Sequence, residues 1–284
     1  MNKYLHKEGK DLWFTEIDRD NLKIDYRIKE VLYSDKSPYQ HIMVLDSYDF
    51  GKMLVLDGAV QTTSLDGYIY NEMISHVPLS IHPDAKNVLI IGGGDCGVAK
   101  EVSKYDDVEK IDMVEIDENV VMASKKYIPE VSGKYLDYRI NFIFTDGVAF
   151  AKKQPDEQYD IVIVDSPDPV GPAIKLYDED FYKDVYRILS DDGIMVCQSE
   201  SPILYEDILT STYEKISKIF PIARLYTAVV PTYPGGLWGF TLGSKKYLDP
   251  RIEVFDKDTS YVNKEILSSC FDLPEFLKQK LRQE

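Results

Sequence analysis

Over residues 1–69 the apolar positions come in short bursts cut by turn signals, as in "IDYRIKEVLYSD" and "QHIMVLDSYDFGKMLVLDGAVQTTS". Val31, Leu32, Met43, Val44, Leu54, Val55 and Val60 are separated by Asp46, Gly51, Lys52, Asp57 and Gly58. That spacing predicts hairpins and a small antiparallel β domain. From Gly67 to Ile81 the period changes: Ile69, Met73, Ile74 and Val77 recur at helical offsets, predicting a connecting helix stopped near Pro78. Residues 70–86 read as this helix and a linker, opening a second domain over 70–284.

From Asn87 onward, short β-branched runs ("NVLII", "KIDMVEI", "INFIF", "DIVIV", "GIMVC") alternate with amphipathic stretches such as "ENVVMASKKYI", "FYKDVYRIL" and "YEDILTSTYEKISKIF". Continuous apolar strands with helices between them predict an α/β fold, a parallel sheet covered on both faces. "ARLYTAVVPTYP" and "LWGFTLGSKK" follow with a Pro-Gly turn and no helix between, so the sheet is expected to end in an antiparallel hairpin. The tail "LPEFLKQKLRQE" reads as a short surface helix.

Composition narrows the class. No apolar run approaches the length of a membrane span and the N-terminus has no signal-peptide core, so the expectation is a soluble, cytoplasmic protein. Forty-nine acidic against 33 basic residues give a net charge of −16, which argues against nucleic-acid or membrane partners and favours cationic ones. Cys96, Cys197 and Cys270 are odd in number and far apart, a pattern that predicts neither disulfides nor a metal site.

Ligands of open α/β sheets bind beyond the carboxyl ends of the strands. There the first four predicted strands of this sheet deliver, in order, "GGGDCG" (Gly92–Gly97), Glu115 with Asp117, "TDG" with Asp146 and Gly147, and "DSPDP" with Asp165 and Asp168. A glycine turn allows close backbone approach, and an acid some 20 positions on suits a ribose diol. A dinucleotide would aim pyrophosphate at this turn, where Asp95 repels it. A nucleoside carrying positive charge fits better, with Asp95 facing an ammonium, Glu115 the ribose and Asp146 the adenine amino group. Read structurally instead, Asp95 is a turn or N-cap residue and Glu115 a strand-end carboxylate. In "DSPDP" the prolines impose extended backbone, so Asp165 and Asp168 project to one side, suited to binding an amine and taking its proton.

These residues carry a resemblance over nearly the whole chain. "YQHIMVLDS", "GKMLVLDGAVQ", "YNEMISHVPL", "VLIIGGGDCGVAKEV", "VEIDENVV", "YDIVIVDSPDPVGPAIKLYDEDFY" and "PTYPGGLWGFTLGSK" resemble the polyamine aminopropyltransferases, spermidine synthases among them. The resemblance implies a Rossmann-like, methyltransferase-type sheet behind the β domain, a homodimer or homotetramer, and no tightly bound cofactor. It implies decarboxylated S-adenosylmethionine as aminopropyl donor and putrescine as acceptor, giving spermidine and 5'-methylthioadenosine. Carried over by position, Gln40, Glu115, Asp146, Gly147 and Pro172 hold the methylthioadenosine part. Asp95 and Asn71 contact the aminopropyl end or the product, and Asp165, helped by Tyr70, is the proton acceptor. Ser166, Asp168 and Tyr233 complete the amine site, and Gln198 supports it. Two departures stand out: Cys96 replaces a glycine of "GGGDGG", and Asn71 stands where histidine or glutamine is usual. Agmatine, cadaverine or spermidine as acceptor, an amine N-methyltransferase using S-adenosylmethionine, a catalytically silent polyamine- or nucleoside-binding protein and a nicotinamide oxidoreductase are the competing readings.

Overall fold

The structure, a computed structural model, describes residues 3–134, 137–169 and 171–282. Six strands, β1 (Leu5–Glu8), β2 (Asp11–Arg19), β3 (Leu22–Lys36), β4 (His41–Ser47), β5 (Lys52–Leu56) and β6 (Ala59–Thr63), form one antiparallel sheet in sequence order. Its strands alternate: Phe14, Tyr26, Ile28, Met43, Leu45, Met53 and Val55 point into one core, while Ile42, Val44 and Leu54 pack against the second domain.

Helix α1 (Gly67–Ile81) leads into a seven-stranded sheet. Along the chain come β7 (Asn87–Gly92), α2 (Gly97–Val102), β8 (Lys110–Glu115), α3 (Glu118–Tyr127), α4 (Pro129–Ser132), β9 (Ile140–Phe144), α5 (Gly147–Lys153) and β10 (Tyr159–Asp165). A 3-10 turn (Gly171–Tyr177), α6 (Glu179–Ile188), β11 (Leu189–Gln198), α7 (Glu206–Ile219), β12 (Ile222–Val229) and β13 (Leu237–Ser244) follow, then α8 (Lys264–Ser269) and α9 (Glu275–Arg282). The strand order is β12-β13-β11-β10-β7-β8-β9, parallel except where β13 meets β11 and β12. The α/β class, the N-terminal antiparallel sheet and the closing hairpin are thus as the pattern predicts.

The central strands are apolar throughout because both faces are covered. Val88 and Ile90 join Ile161 and Ile163 in one core, and Leu89 and Ile91 join Val162 and Val164 in the other. The sheet order turns back between β7 and β10, which puts their carboxyl ends side by side, with Gly92 opposite Asp165. This is the topological switch point where open sheets bind ligands.

Two sequence expectations need correction. Pro78 does not stop α1: the helix runs on to Ile81, and the Pro78 carbonyl still accepts the His82 N–H at 3.0 Å. Proline costs one N–H and crowds the preceding turn, but nearly all of α1 is buried and its packing holds it straight through. The tail helix α9 is not merely a surface helix: Leu277 is 1% exposed and packs with Leu209 and Leu225.

Helix α1 is also latched by the chain's C-terminal segment. The buried Glu72 carboxylate accepts the backbone N–H groups of Ser260, Tyr261 and Val262 at 2.8, 2.8 and 2.9 Å. Hydrogen bonds to a charged group are worth more than neutral ones, and an amide at this position turns a donor toward donors. Glu72→Gln is expected to lower stability by about 2 kcal/mol, read as a lower urea midpoint with an unchanged slope. No helix of the described residues is long and apolar enough to cross a membrane.

Candidate active site

A cavity of about 540 Å³ opens at the switch point, lined by the ends of β7, β8 and β10, the start of α5, and residues of β2, β6 and the β3–β4 turn. Its size is that of a small-molecule site. Of the residues singled out from the sequence, Gln40, Tyr70, Asp95, Glu115, Asp146, Gly147, Asp165, Ser166, Asp168, Gln198 and Tyr233 line it. Asn71 does not, and the Pro172 side chain lies outside the described residues.

The glycine turn after β7 brings backbone against backbone. A Cβ on Gly92 (φ +88) would lie 2.0 Å from the Asp165 carbonyl oxygen, and Gly93 N–H donates to that oxygen at 3.0 Å. Asp95 lines the cavity and accepts the Gly97 N–H at 2.7 Å, so the turn-residue and cavity-wall readings hold together. Cys96 takes φ 64, a left-handed conformation that costs a residue with a Cβ, and buries its side chain completely in the core. Asn71 sits behind Asp95, 3% exposed, close enough to offset part of the upward push that burial gives that carboxyl. The amide fits because a Cβ on Gly97 would lie 2.0 Å from Asn71 Nδ2. Asn71 thus faces Asp95 and does not line the cavity.

Glu115, at the end of β8, accepts the Asp117 N–H at 2.9 Å. Asp117 in turn accepts from Ser37 Oγ at 2.6 Å and Gln40 Nε2 at 3.0 Å, tying the β3–β4 turn to the seven-stranded sheet. Asp146 caps α5 through the Ala149 N–H at 2.8 Å while lining the cavity. Gly147 is required by packing, since its Cβ would lie 2.4 Å from Ile91 Cγ2.

Asp165 ends β10, and the Tyr70 hydroxyl donates to its Oδ1 at 2.6 Å. Tyr233 stacks edge-on to Tyr70 at 5.8 Å, its hydroxyl committed to the Gln61 carbonyl at 2.7 Å. Burial first, then the charge of Asp95, push the Asp165 carboxyl up to about 7. Glu115 is raised to about 7, chiefly by burial. Tyr70 is held well above the usual tyrosine range by burial and by Asp165, so it remains a donor.

This convergence of carboxylates on one cavity coincides with the family match. Residues 67–254 match the Spermine/spermidine synthase domain and residues 12–64 the Spermidine synthase tetramerisation domain. The chain belongs to the polyamine aminopropyltransferase family. A polyamine aminopropyltransferase of Desulforudis audaxviator is 45% identical over 274 residues, covering 95% of this chain and 99% of the relative. That of Methanocaldococcus jannaschii is 44% identical over 281 residues, covering 96% of each. A spermidine synthase solved in complex with the transition-state analogue AdoDATO superposes with a TM-score of 0.92 at 34% identity, over 98% of this chain and 99% of that one. The spermidine synthase of Thermotoga maritima gives a TM-score of 0.90 at 34% identity over the full length of both.

Sequence reasoning about this aminopropyltransferase missed several residues at the cavity. Glu16 and Asp18 reach it from β2, and Tyr205 donates to Asp18 Oδ1 at 2.7 Å. Glu16 is 4% exposed, and burial pushes its carboxyl up to about 7. The available signal was its phase: Glu16 shares the inward side of β2 with Phe14. Tyr177 pins the "DSPDP" loop, donating to the Pro167 carbonyl at 3.2 Å while accepting from Gln198 Nε2 and Ser166 Oγ.

Asp165, Glu115 and Glu16 are acids whose pKa is raised by folding, from ordinary values of 3.8 and 4.5 to about 7. Between those limits the folded chain binds more protons than the unfolded one, so stability falls as pH rises from about 4 to 7. The melting temperature of the ligand-free protein is expected to decline over that window. A cationic ligand, which favours the ionised forms, should flatten the decline.

Proposed function

We propose that this enzyme is a spermidine synthase: it transfers the aminopropyl group of decarboxylated S-adenosylmethionine to putrescine, releasing spermidine and 5'-methylthioadenosine. The observation that carries this reading is the Tyr70–Asp165 pair on the wall of a cavity that also holds Asp95 and Glu115. The spermidine synthase relatives of the same fold support it.

In this reading Gln40, Glu115, Asp146 and Gly147 hold the nucleoside, and Asp95 faces the terminal ammonium of the donor. Intact S-adenosylmethionine would bring its α-carboxylate against Asp95, which disfavours it. The amine nitrogen attacks the methylene next to the sulfonium, the carbon–sulfur bond breaks, and its electron pair returns to sulfur as neutral thioether. The proton displaced from nitrogen goes to Asp165. The sulfonium supplies the leaving-group activation, so the protein's share is alignment and proton removal. Tyr70 orients Asp165 Oδ1, leaving its other oxygen for the amine. Asp168 and Ser166, with Tyr233, form the wall along which the rest of the amine lies.

The test is product identification by mass spectrometry with each donor separately and with putrescine, cadaverine, agmatine and spermidine in competition. Spermidine and methylthioadenosine as the dominant products support the reading. A methylated amine from S-adenosylmethionine, or preference for another acceptor, overturns it at the corresponding level. We propose a homodimer or homotetramer for the assembly, in keeping with the match of residues 12–64 to a tetramerisation domain. Light scattering on the purified chain distinguishes the two.

A further inference from the structure

Behind the amine wall lies a carboxyl group that the proposed reaction does not use. Glu200 follows β11 and is 1% exposed. Neither of its carboxyl oxygens has a hydrogen-bond donor among the described residues. The nearby Gln198 amide spends its N–H bonds on the Ser166 carbonyl and the Tyr177 hydroxyl. The side chain meets the Asp168 carboxyl instead. Two carboxyl groups that face one another with no other donor favour holding one proton between them.

The backbone holds this arrangement at a cost. Glu200 takes φ 68, a left-handed conformation uncommon for a residue with a long side chain. Its N–H donates to Gln198 Oε1 at 2.9 Å and its carbonyl accepts the Gly239 N–H at 2.9 Å. Such strain persists only where the surroundings enforce it, and it gathers at functional sites. The titratable groups facing Glu200 are Asp168 from the "DSPDP" loop, Asp18 from β2 and Tyr177 from the 3-10 turn. None is a cation. Burial first, then the charge of Asp168, push the Glu200 carboxyl up to about 9.

Resting on the polyamine reading of the cavity, we propose that Glu200 is a positioning residue that acts as a neutral acid. It donates a hydrogen bond to Asp168, keeping its own proton, and holds that carboxylate ionised toward the substrate amine. Asp168 lines the cavity and Glu200 does not, so the amine meets one oriented negative charge where two acids stand. A second ionised carboxylate in this position would repel Asp168 and unseat the loop that carries Asp165 and Ser166. The specificity consequence is for the acceptor alone: Glu200 sets amine affinity and leaves the nucleoside end untouched.

The charge state decides the experiment. Glu200→Ala removes the donor and is expected to raise the amine KM about ten- to a hundredfold with little change in donor KM. Glu200→Gln supplies a neutral donor of nearly the same shape and should recover most of that loss at pH 7.5. Above about pH 9, where Glu200 itself ionises, the wild-type amine KM should climb relative to that of Glu200→Gln. Taking this ratio at each pH cancels the titration of the free amine. A glutamine variant as impaired as the alanine one, or a ratio flat to pH 10, overturns the proposal, since either means that the carboxylate charge is needed or that no proton is held. If Glu200→Ala does not fold, the ratio for Glu200→Gln still decides. Absence of polyamine product from the wild type would sink the functional reading itself, a separate outcome.

Discussion

Asp165→Asn is expected to lower kcat by about 10²- to 10⁴-fold while donor affinity changes far less, the usual range for loss of a general base. The substitution is nearly isosteric. Asparagine Oδ1 can still accept the Tyr70 hydroxyl, bonded at 2.6 Å in the parent, so the geometry of the wall survives. What disappears is the group proposed to receive the proton from the attacking nitrogen. The pH profile provides the second reading. With Asp165 raised to about 7, the parent enzyme should lose activity as pH falls below that value, because the protonated acid cannot accept another proton. The residual activity of the asparagine variant should lack that acid limb. A variant with near-parental turnover, or one that keeps the limb, would take Asp165 out of the role.

Gly92→Ala should be more damaging to the fold than substitution of any of the acids that line the cavity. Its φ of +88 lies where L-residues with a Cβ are strained, and the added Cβ would lie 2.0 Å from the Asp165 carbonyl oxygen. Backbone cannot yield there as a flexible side chain could, because the Gly93 N–H is bonded to the same oxygen. The expected loss is more than ~3 kcal/mol, among the large values seen for strain at a special backbone position. Whatever fraction folds should be slow as well, since displacing the reacting groups by about 1 Å costs on the order of a hundredfold. Gly171→Ala is the control: φ is +59, but nothing among the described residues lies within 4 Å of the added Cβ. It should cost about 1 kcal/mol. Equal losses for the two variants would show that conformational strain alone, without the contact at Asp165, governs the glycine turn.

The strand ends were the legible part of this molecule. Buried parallel strands have near-continuous apolar runs, so their ends are sharp in sequence, and the acids that follow them fall at the switch point by topology alone. The N-terminal contribution was not legible in the same way. Glu16 is a lone buried acid in a strand that also holds Phe14 and Ile17, and only the tertiary pairing that brings Tyr26 and the Val60 N–H to its carboxylate sets it at the cavity. Position in the family's motif marks Asn71 as a ligand contact, yet on a helix it and its neighbour Tyr70 face different directions. One reaches Asp165, the other Asp95. Pro78 and the tail helix misled for a common reason. Local preference marked them as a stop and a surface element, and burial against neighbours that no local window contains decided otherwise.

The latch on helix α1 has a consequence for how the protein is made. Synthesis runs from the N-terminus, so the helix bearing Tyr70 and Asn71 emerges well before Ser260, Tyr261 and Val262, the groups that satisfy Glu72. Until that segment leaves the ribosome, Glu72 must keep its water, and α1 cannot settle among the apolar residues that finally enclose it. The helix that carries Tyr70 is thus secured by a late portion of the chain. A nascent polypeptide halted before Ser260 would carry every residue of the cavity wall and still lack the latch on the helix that places Tyr70.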